Sequence, residues 1–252
     1  MLATPQGRVF YNALRPMNAA SAAMGGPTLE GLLLARHQVI DDLLTAAIES
    51  GEVTQVIEIA AGLSPRGWRF SQRYPKQLTY IETDLPAMAK RKRGLLAKMG
   101  AQPVKHRVAE LNALADVGPT SLRELAGQLD KKKGLAIITE GLLNYFDQAT
   151  VTGMWQRFAE NLHPFKHGIY LSDLHVASET LGLGGASFRT LLSAFVRKRV
   201  HFHFADAQAA GAALQATGFE SAELLRPIEA LDNPPSTITA GAKIVRVISA
   251  RK

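Results

Sequence analysis

The stretch Val56-Ile57-Glu58-Ile59-Ala60-Ala61-Gly62-Leu63-Ser64-Pro65-Arg66 sets an acid in a β-branched run and then strips the side chains away. A strand that breaks into Ala-Ala-Gly turns sharply, and the missing side chains leave room for a ligand to approach the backbone. Taken singly, Gly62 and its neighbours serve equally well to pack a helix on a strand. A second apolar run, Leu78-Thr79-Tyr80-Ile81, leads into Glu82-Thr83-Asp84-Leu85-Pro86. Asp84 therefore stands where a nucleoside-binding βαβ unit carries the carboxylate that accepts both ribose hydroxyls. It could instead cap the helix that Pro86 opens. The loop after Glu58 lacks the third glycine of the dinucleotide fingerprint, so a ligand without phosphates fits better than a pyrophosphate.

Arg36 is a second chemical signal. At about 100° per residue, it falls in the middle of the helix face formed by Leu29, Leu32, Leu33, Ile40, Leu43 and Ala47, whereas His37, Gln38, Asp41, Asp42 and Glu49 lie elsewhere. A guanidinium inside an apolar stripe needs a partner, because burying it alone is costly. A protein carboxylate or a ligand carboxylate would serve, since both match the guanidinium fork. The alternative is an arginine that snorkels off the edge of the face.

These residues need elements to hold them. Residues 1–27 read as an irregular or partly helical lead-in, and Leu29 to Ser50 as a helix closed by Gly51. Strands and helices then alternate: strand 55–60, helix 65–73, strand 78–83, helix 86–99, a short strand near 104–109, helix 119–129, strand 134–139, helix 148–162 and strand 167–172. That order predicts a doubly wound α/β fold, with helices on both faces of a mostly parallel sheet. A helical stretch near 176–199, a helix 205–217 and strands 219–225 and 242–249 complete a seven-stranded sheet. Only the proline-broken segment 226–241 separates the last two strands, so the final strand should return antiparallel. There is no internal repeat and no linker, which implies a single domain over 1–252 with 1–50 as a helical N-terminal lid and 51–252 as the core. In such sheets ligands bind at the carboxyl ends of the strands.

Composition narrows the chemistry. With no cysteine, thiolate metal sites and thiol nucleophiles are excluded. No run approaches the roughly 20 apolar residues of a membrane helix, and the start of the chain lacks the apolar core of a secretory signal, so the expected home is the cytoplasm, away from membranes. The net charge of +7 makes an anionic partner thinkable, yet Lys90-Arg91-Lys92-Arg93 and Lys131-Lys132-Lys133 read as solvated faces without interleaved aromatics. Nucleic acid is therefore a disfavoured partner. His201 and His203 alternate with Phe202 and Phe204 and would share one face, but no third ligand accompanies them, so no metal is expected.

The fourth strand, Leu135-Ala136-Ile137-Ile138-Thr139, runs into Glu140-Gly141-Leu142-Leu143-Asn144-Tyr145. Together with Leu34-Ala-Arg36-His-Gln-Val-Ile-Asp41-Asp42, Glu58-Ile-Ala-Ala-Gly62-Leu-Ser-Pro-Arg66 and Tyr80-Ile-Glu-Thr-Asp84-Leu-Pro86, it resembles the leucine carboxyl methyltransferase family, which includes bacterial polyketide O-methyltransferases. The resemblance covers roughly residues 30–150 and rests on the order and spacing of four motifs. It implies a class I, Rossmann-like S-adenosylmethionine (SAM) methyltransferase fold with SAM as cofactor. By the same resemblance Arg36 would hold the carboxylate of SAM's methionine moiety, with Glu58 and Gly62 as the floor beneath it. Asp84 would take the ribose hydroxyls, Glu110 the adenine amino group, the Leu111 backbone the ring, and Glu140 would line the methionine end. Ala60 stands where the family usually has glycine, Ser64 where it usually has aspartate, and the segment before Arg36 is shorter than usual.

A sulfonium methyl is already activated, so such an enzyme mainly aligns nucleophile, methyl and sulfur and excludes water. The resemblance implies O-methylation of a small molecule's carboxyl or hydroxyl. A carboxylate acceptor needs no base; a hydroxyl would profit from one. Tyr145, and Asp173 and His175 after the fifth strand, are candidates there, Tyr145 and His175 as catalytic groups and Asp173 as a substrate contact. Tyr11 and Arg15 could reach substrate from a folded-back lid. Asp232-Asn233-Pro234-Pro235-Ser236 imitates the Asn-Pro-Pro-aromatic motif of amino-directed methyltransferases, but it is misplaced for it and reads as a turn. The alternatives are an RNA- or protein-directed methyltransferase, favoured only by net charge, and a SAM-fold binding protein without methyl transfer.

Overall fold

The computed structural model describes residues 5–23, 26–100, 103–181 and 201–252. Helix α1 (Pro5–Ala23) makes regular what the sequence left as a partly helical lead-in. Helix α2 (Leu29–Glu49) starts where the Thr28 hydroxyl accepts the Gly31 N–H at 3.0 Å, which satisfies one of the open amides of the first turn. It ends before Gly51, whose φ of +78° only glycine adopts freely.

The core follows as β1 (Gln55–Ile59), α3 (Arg66–Arg73), β2 (Thr79–Asp84), α4 (Pro86–Ala97), β3 (His106–Glu110), α5 (Leu122–Gly127), β4 (Leu135–Thr139), α6 (Gln148–Leu162), β5 (Gly168–Leu174) and α7 (Ala177–Leu181). A helix Ala207–Ala216, strand β6 (Ser221–Leu225), two short helices and β7 (Arg246–Arg251) close it. The expected helical stretch 176–199 is seen as α7; residues 182–200 of it lie outside the described residues.

The seven strands lie in the order β3-β2-β1-β4-β5-β7-β6. β1 to β5 pair in parallel, and β7 runs antiparallel between β5 and β6. This is the expected doubly wound arrangement with an antiparallel last strand. Alternation along the central strands feeds two cores. Ile57 and Ile59 of β1 and Leu135 and Ile137 of β4 pack with Trp155 and Phe158 of α6 on one face. Val56 of β1 and Ala136 and Ile138 of β4 meet Val39, Ile40 and Leu44 of α2 and Phe70 of α3 on the other. Each fully buried aliphatic side chain contributes about 1.5–3 kcal/mol by leaving water. Because β2 and β3 are added to one side of β1 while β4 and β5 are added to the other, the strand order reverses between β1 and β4. The crevice at the carboxyl ends of those two strands is where ligands of such sheets bind.

Candidate active site

The loop after β1 is shaped by backbone strain. Ala60 has φ of +54° and Gly62 φ of +50°, the left-handed region that disfavours any residue with a Cβ. Ala61 N–H donates to Thr83 O at 2.9 Å, and Gly62 N–H donates to Asp84 Oδ2 at 2.8 Å. The other Asp84 oxygen accepts Leu85 N–H at 2.8 Å. Asp84 is therefore neither a free surface acid nor a cap of the first turn of α4. Two amides fix its carboxylate beside the glycine loop, and lone pairs remain for a diol. A Cβ placed on Gly62 would meet nothing within 4 Å, so the loop presents bare backbone to open space.

At the methionine end implied by the resemblance, two guanidinium groups share one acid. Arg36 donates from Nε to Glu140 Oε1 at 3.1 Å and from Nη1 to Asp173 Oδ2 at 2.6 Å. Arg66, fully buried, donates from Nε to Asp41 at 2.6 Å, from Nη1 to Glu58 at 2.8 Å and from Nη2 to Glu140 Oε2 at 2.5 Å. Tyr80 OH gives Glu58 a further hydrogen bond at 2.8 Å. His37 Nδ1 lies 2.9 Å from Glu140 Oε2 and 2.8 Å from Arg66 Nη2, and one ring nitrogen serves only one of them, as donor to the first or acceptor from the second.

The electrostatics follow. Burial by itself would lift the Glu140 carboxyl, but the His37 hydrogen bond and the Arg66 and Arg36 charges outweigh it and hold it well below its ordinary range. Burial would likewise lower Arg36, yet Asp173 and Glu140 raise it on balance. For Glu58 burial wins over Arg66, and its carboxyl is pushed up. Gly141 joins the site with φ of +69°; its N–H donates to Asp173 Oδ1 at 2.6 Å, and a Cβ there would lie 2.9 Å from Arg36 Nη2. Among the described residues Arg36 Nη2 makes no hydrogen bond.

A sequence profile described as leucine carboxyl methyltransferase matches residues 2–159, more than half of the chain. The chain belongs to the leucine carboxyl methyltransferase family. A relative from Mycolicibacterium gilvum, named "Putative S-adenosyl-L-methionine-dependent methyltransferase", is 38% identical over 113 residues, which span 45% of this chain and 35% of the relative. The chain thus spans about a third of the length of that curated relative. The fold is shared with a solved structure from Thermobifida fusca described as "a putative methyltransferase" (TM-score 0.61, 16% identity, 94% of this chain and 87% of that one). It is also shared with magnesium protoporphyrin IX methyltransferase from Synechocystis, solved with bound SAH (TM-score 0.56, 11% identity, 88% and 86%).

In this leucine carboxyl methyltransferase family chain the expected site residues divide by placement. Arg36, Gly62, Asp84 and Glu140 gather at the carboxyl ends of β1, β2 and β4. Glu58 does not form an open floor: it is 1% exposed and held from behind by Arg66 and Tyr80, because side chains alternate along β1 and Glu58 faces the core under α2 and α3. Leu111 N–H already donates to Asp84 O at 3.0 Å, so it is not available to a ring. Glu110, at the exposed end of β3, pairs with Arg93 at 2.9 Å.

Asp173 and His175 are not open to a substrate. Asp173 is 2% exposed, with its oxygens on Arg36 and Gly141. His175 is 4% exposed with Nδ1 on Ile244 O at 3.0 Å, and burial depresses its imidazole. Tyr145 is the exposed one of the set, in a single 3₁₀ turn, Leu143–Tyr145, that begins two residues after Gly141. Tyr11 and Arg15 lie on an exposed face of α1, and the Tyr11 hydroxyl donates to Glu30 of α2 at 3.1 Å rather than reaching the strand ends.

His201 and His203 do stack, with ring centroids 6.1 Å apart, but among the described residues no group of three or more His, Asp or Glu could hold a metal. No helix among them is long and apolar enough to cross a membrane. The expectation of a solvated Lys90–Arg93 face fails at Lys92. It is 1% exposed, because it occupies the inward position of α4 next to the buried Glu82. Arg66, His37 and Asp41 have no role that local sequence assigns. The available signal was Arg66 itself, a basic residue beginning a short helix immediately beyond a strand that carries an inward acid.

Proposed function

We propose that the chain is a SAM-dependent O-methyltransferase whose acceptor is a carboxyl or hydroxyl group of a small molecule. The observation that carries the reading is Asp84, whose two oxygens are oriented by the Gly62 and Leu85 amides beside a loop that offers bare backbone. The residues present fit the cofactor. Asp84 would accept the ribose hydroxyls, the Gly62 backbone would lie against the nucleoside, and Arg36 Nη2 would donate to the amino-acid carboxylate. When bound, the cofactor supplies an activated methyl on sulfur. The chain's part is to hold it rigidly, orient the acceptor in line and exclude water. The paired Arg36 and Arg66 keep Glu140 ionised, so it stays a fixed hydrogen-bond acceptor at the methionine end. Tyr145, exposed in the turn that follows β4, would be the side chain to meet an acceptor.

Calorimetry with S-adenosylhomocysteine tests the cofactor site. The wild-type chain should bind, and Asp84→Ala should weaken binding by about tenfold or more, the equivalent of about 1.4 kcal/mol. Failure of the wild type to bind either SAM or S-adenosylhomocysteine at millimolar concentration overturns the reading. A panel of small carboxylic acids and phenols, followed by release of S-adenosylhomocysteine, tests the acceptor class. Turnover only of RNA, with activity falling steeply as salt rises, would reassign it.

A further inference from the structure

We infer that Lys92, held by the buried Glu82, is a positioning residue for the cofactor loop: its ammonium braces the Ala61 carbonyl from beneath. This rests on the reading of that loop given above. Glu82, in the middle of β2, has no exposed surface, and Lys92 on α4 is 1% exposed. Lys92 Nζ lies 3.0 Å from Glu82 Oε1 and 3.4 Å from Ala61 O. The same Glu82 oxygen accepts the Gly67 N–H at 3.1 Å, in the first turn of α3. His106 Nε2 of β3 lies 3.3 Å from the other oxygen, Oε2. One ion pair therefore ties β2, α4 and both ends of the segment 61–67 that carries Gly62.

Two features show that the contact is built for position. Gly67 has to be glycine for Glu82 to approach, since a Cβ there would lie 2.4 Å from Oε1. A buried ion pair is also a poor way to gain stability, because apolar residues of similar volume usually do as well or better. What an apolar side chain does not supply is a donor to Ala61 O. That carbonyl belongs to the residue between Ala60 and Gly62, both at positive φ, so its tilt sets the direction of the Gly62 amide toward Asp84. Ser64 N–H also donates to Ala61 O at 3.0 Å, so the turn's carbonyl is held by a local amide and by the Lys92 ammonium.

The test uses Lys92→Met and the charge-free pair Glu82→Gln with Lys92→Met, which leaves no orphaned charge and keeps an oxygen for Gly67 N–H. S-adenosylhomocysteine affinity should fall by about tenfold or more in each, because a displaced binding loop loses alignment rather than contact area. Hydrogen exchange of the Gly62 amide should quicken without ligand. The exposed Lys90→Met on the same helix should leave both readouts unchanged. A double variant that binds as tightly as wild type, with Gly62 exchange unchanged, overturns the inference and leaves the cofactor reading standing, even if the melting temperature shifts. A wild-type chain that binds no S-adenosylhomocysteine overturns the reading and this inference together.

Discussion

Arg66 and Glu140 meet at 2.5 Å between Nη2 and Oε2, although 74 residues separate them in the chain. The contact joins the start of α3, behind β1, to the end of β4. Arg66 has no exposed surface and faces two further acids, Asp41 and Glu58. Removing the guanidinium leaves the buried Glu58 without its ion-pair partner and takes one from Asp41 and Glu140, which keep Arg69 and Arg36. Arg66→Met is accordingly expected to lower the unfolding free energy by about 3–5 kcal/mol, the range for breaking one partner out of a buried network. Arg69, nearly half exposed and paired with the same Asp41, offers the contrast: Arg69→Met should change stability by about 1 kcal/mol or less. Urea unfolding of both variants distinguishes the cases, and equal effects would show that the buried network is not the anchor described.

Ala60 carries the opposite kind of prediction. Its φ of +54° costs a residue with a Cβ about 1–2 kcal/mol. Glycine relieves that and gives back about 0.5–1 kcal/mol in chain entropy. Ala60→Gly should therefore stabilise the fold by up to about 1 kcal/mol, a rise of about 2–4 °C in Tm for a domain of this size. A fall in Tm would mean that the Ala60 methyl makes packing worth more than the strain. The methyl stands where the family usually has glycine, so S-adenosylhomocysteine affinity should rise or hold in the same variant.

Acidity should weaken the fold through His175. Its folded-state pKa lies below the ordinary 6.5 because burial disfavours the cation, with Asp173 opposing and Arg36 adding to the effect. As pH falls below about 6.5 the unfolded chain takes up a proton that the folded chain resists, so stability declines with falling pH. Glu140, depressed below its ordinary 4.5, adds stability that is lost only as pH falls below that value. Glu58 is raised above 4.5 and works with the opposite sign just above that pH. The window from pH 7 to 5.5 therefore reports the buried imidazoles, His175 together with His203, which burial also depresses. The denaturation midpoint should fall across it in the wild type and fall less steeply in His175→Gln; an equally steep fall in the variant would assign the slope elsewhere.

Gly141 links the strand end to the arginine. With φ of +69° and a prospective Cβ 2.9 Å from Arg36 Nη2, Gly141→Ala combines backbone strain with displacement of the guanidinium. A loss of about 1–2 kcal/mol in stability is expected from the strain alone. If Arg36 Nη2 holds the ligand carboxylate as proposed, S-adenosylhomocysteine affinity should drop too. Unchanged affinity in a folded Gly141→Ala protein would argue that Arg36 does not contact the ligand.

Much of this protein was legible in the sequence because it is written locally. Alternation and helical period fixed the order of strands and helices, and the short interval between β6 and β7 fixed the antiparallel return. Small residues and acids at strand ends marked the Gly62 loop, Asp84 and Glu140. The apolar stripe around Arg36 required a partner but left open whether protein or ligand would provide it. Only the tertiary structure decided that Glu140 and Asp173 do, because Asp173 lies 137 residues away and no local period connects them. The same holds for Lys92, which sits in a run of four bases and yet is turned inward by Glu82 on a neighbouring strand. Local backbone preference sets where elements begin and end; which charges meet is set by how the elements pack, since a buried charge is tolerated only where another part of the chain brings its counter-charge within reach.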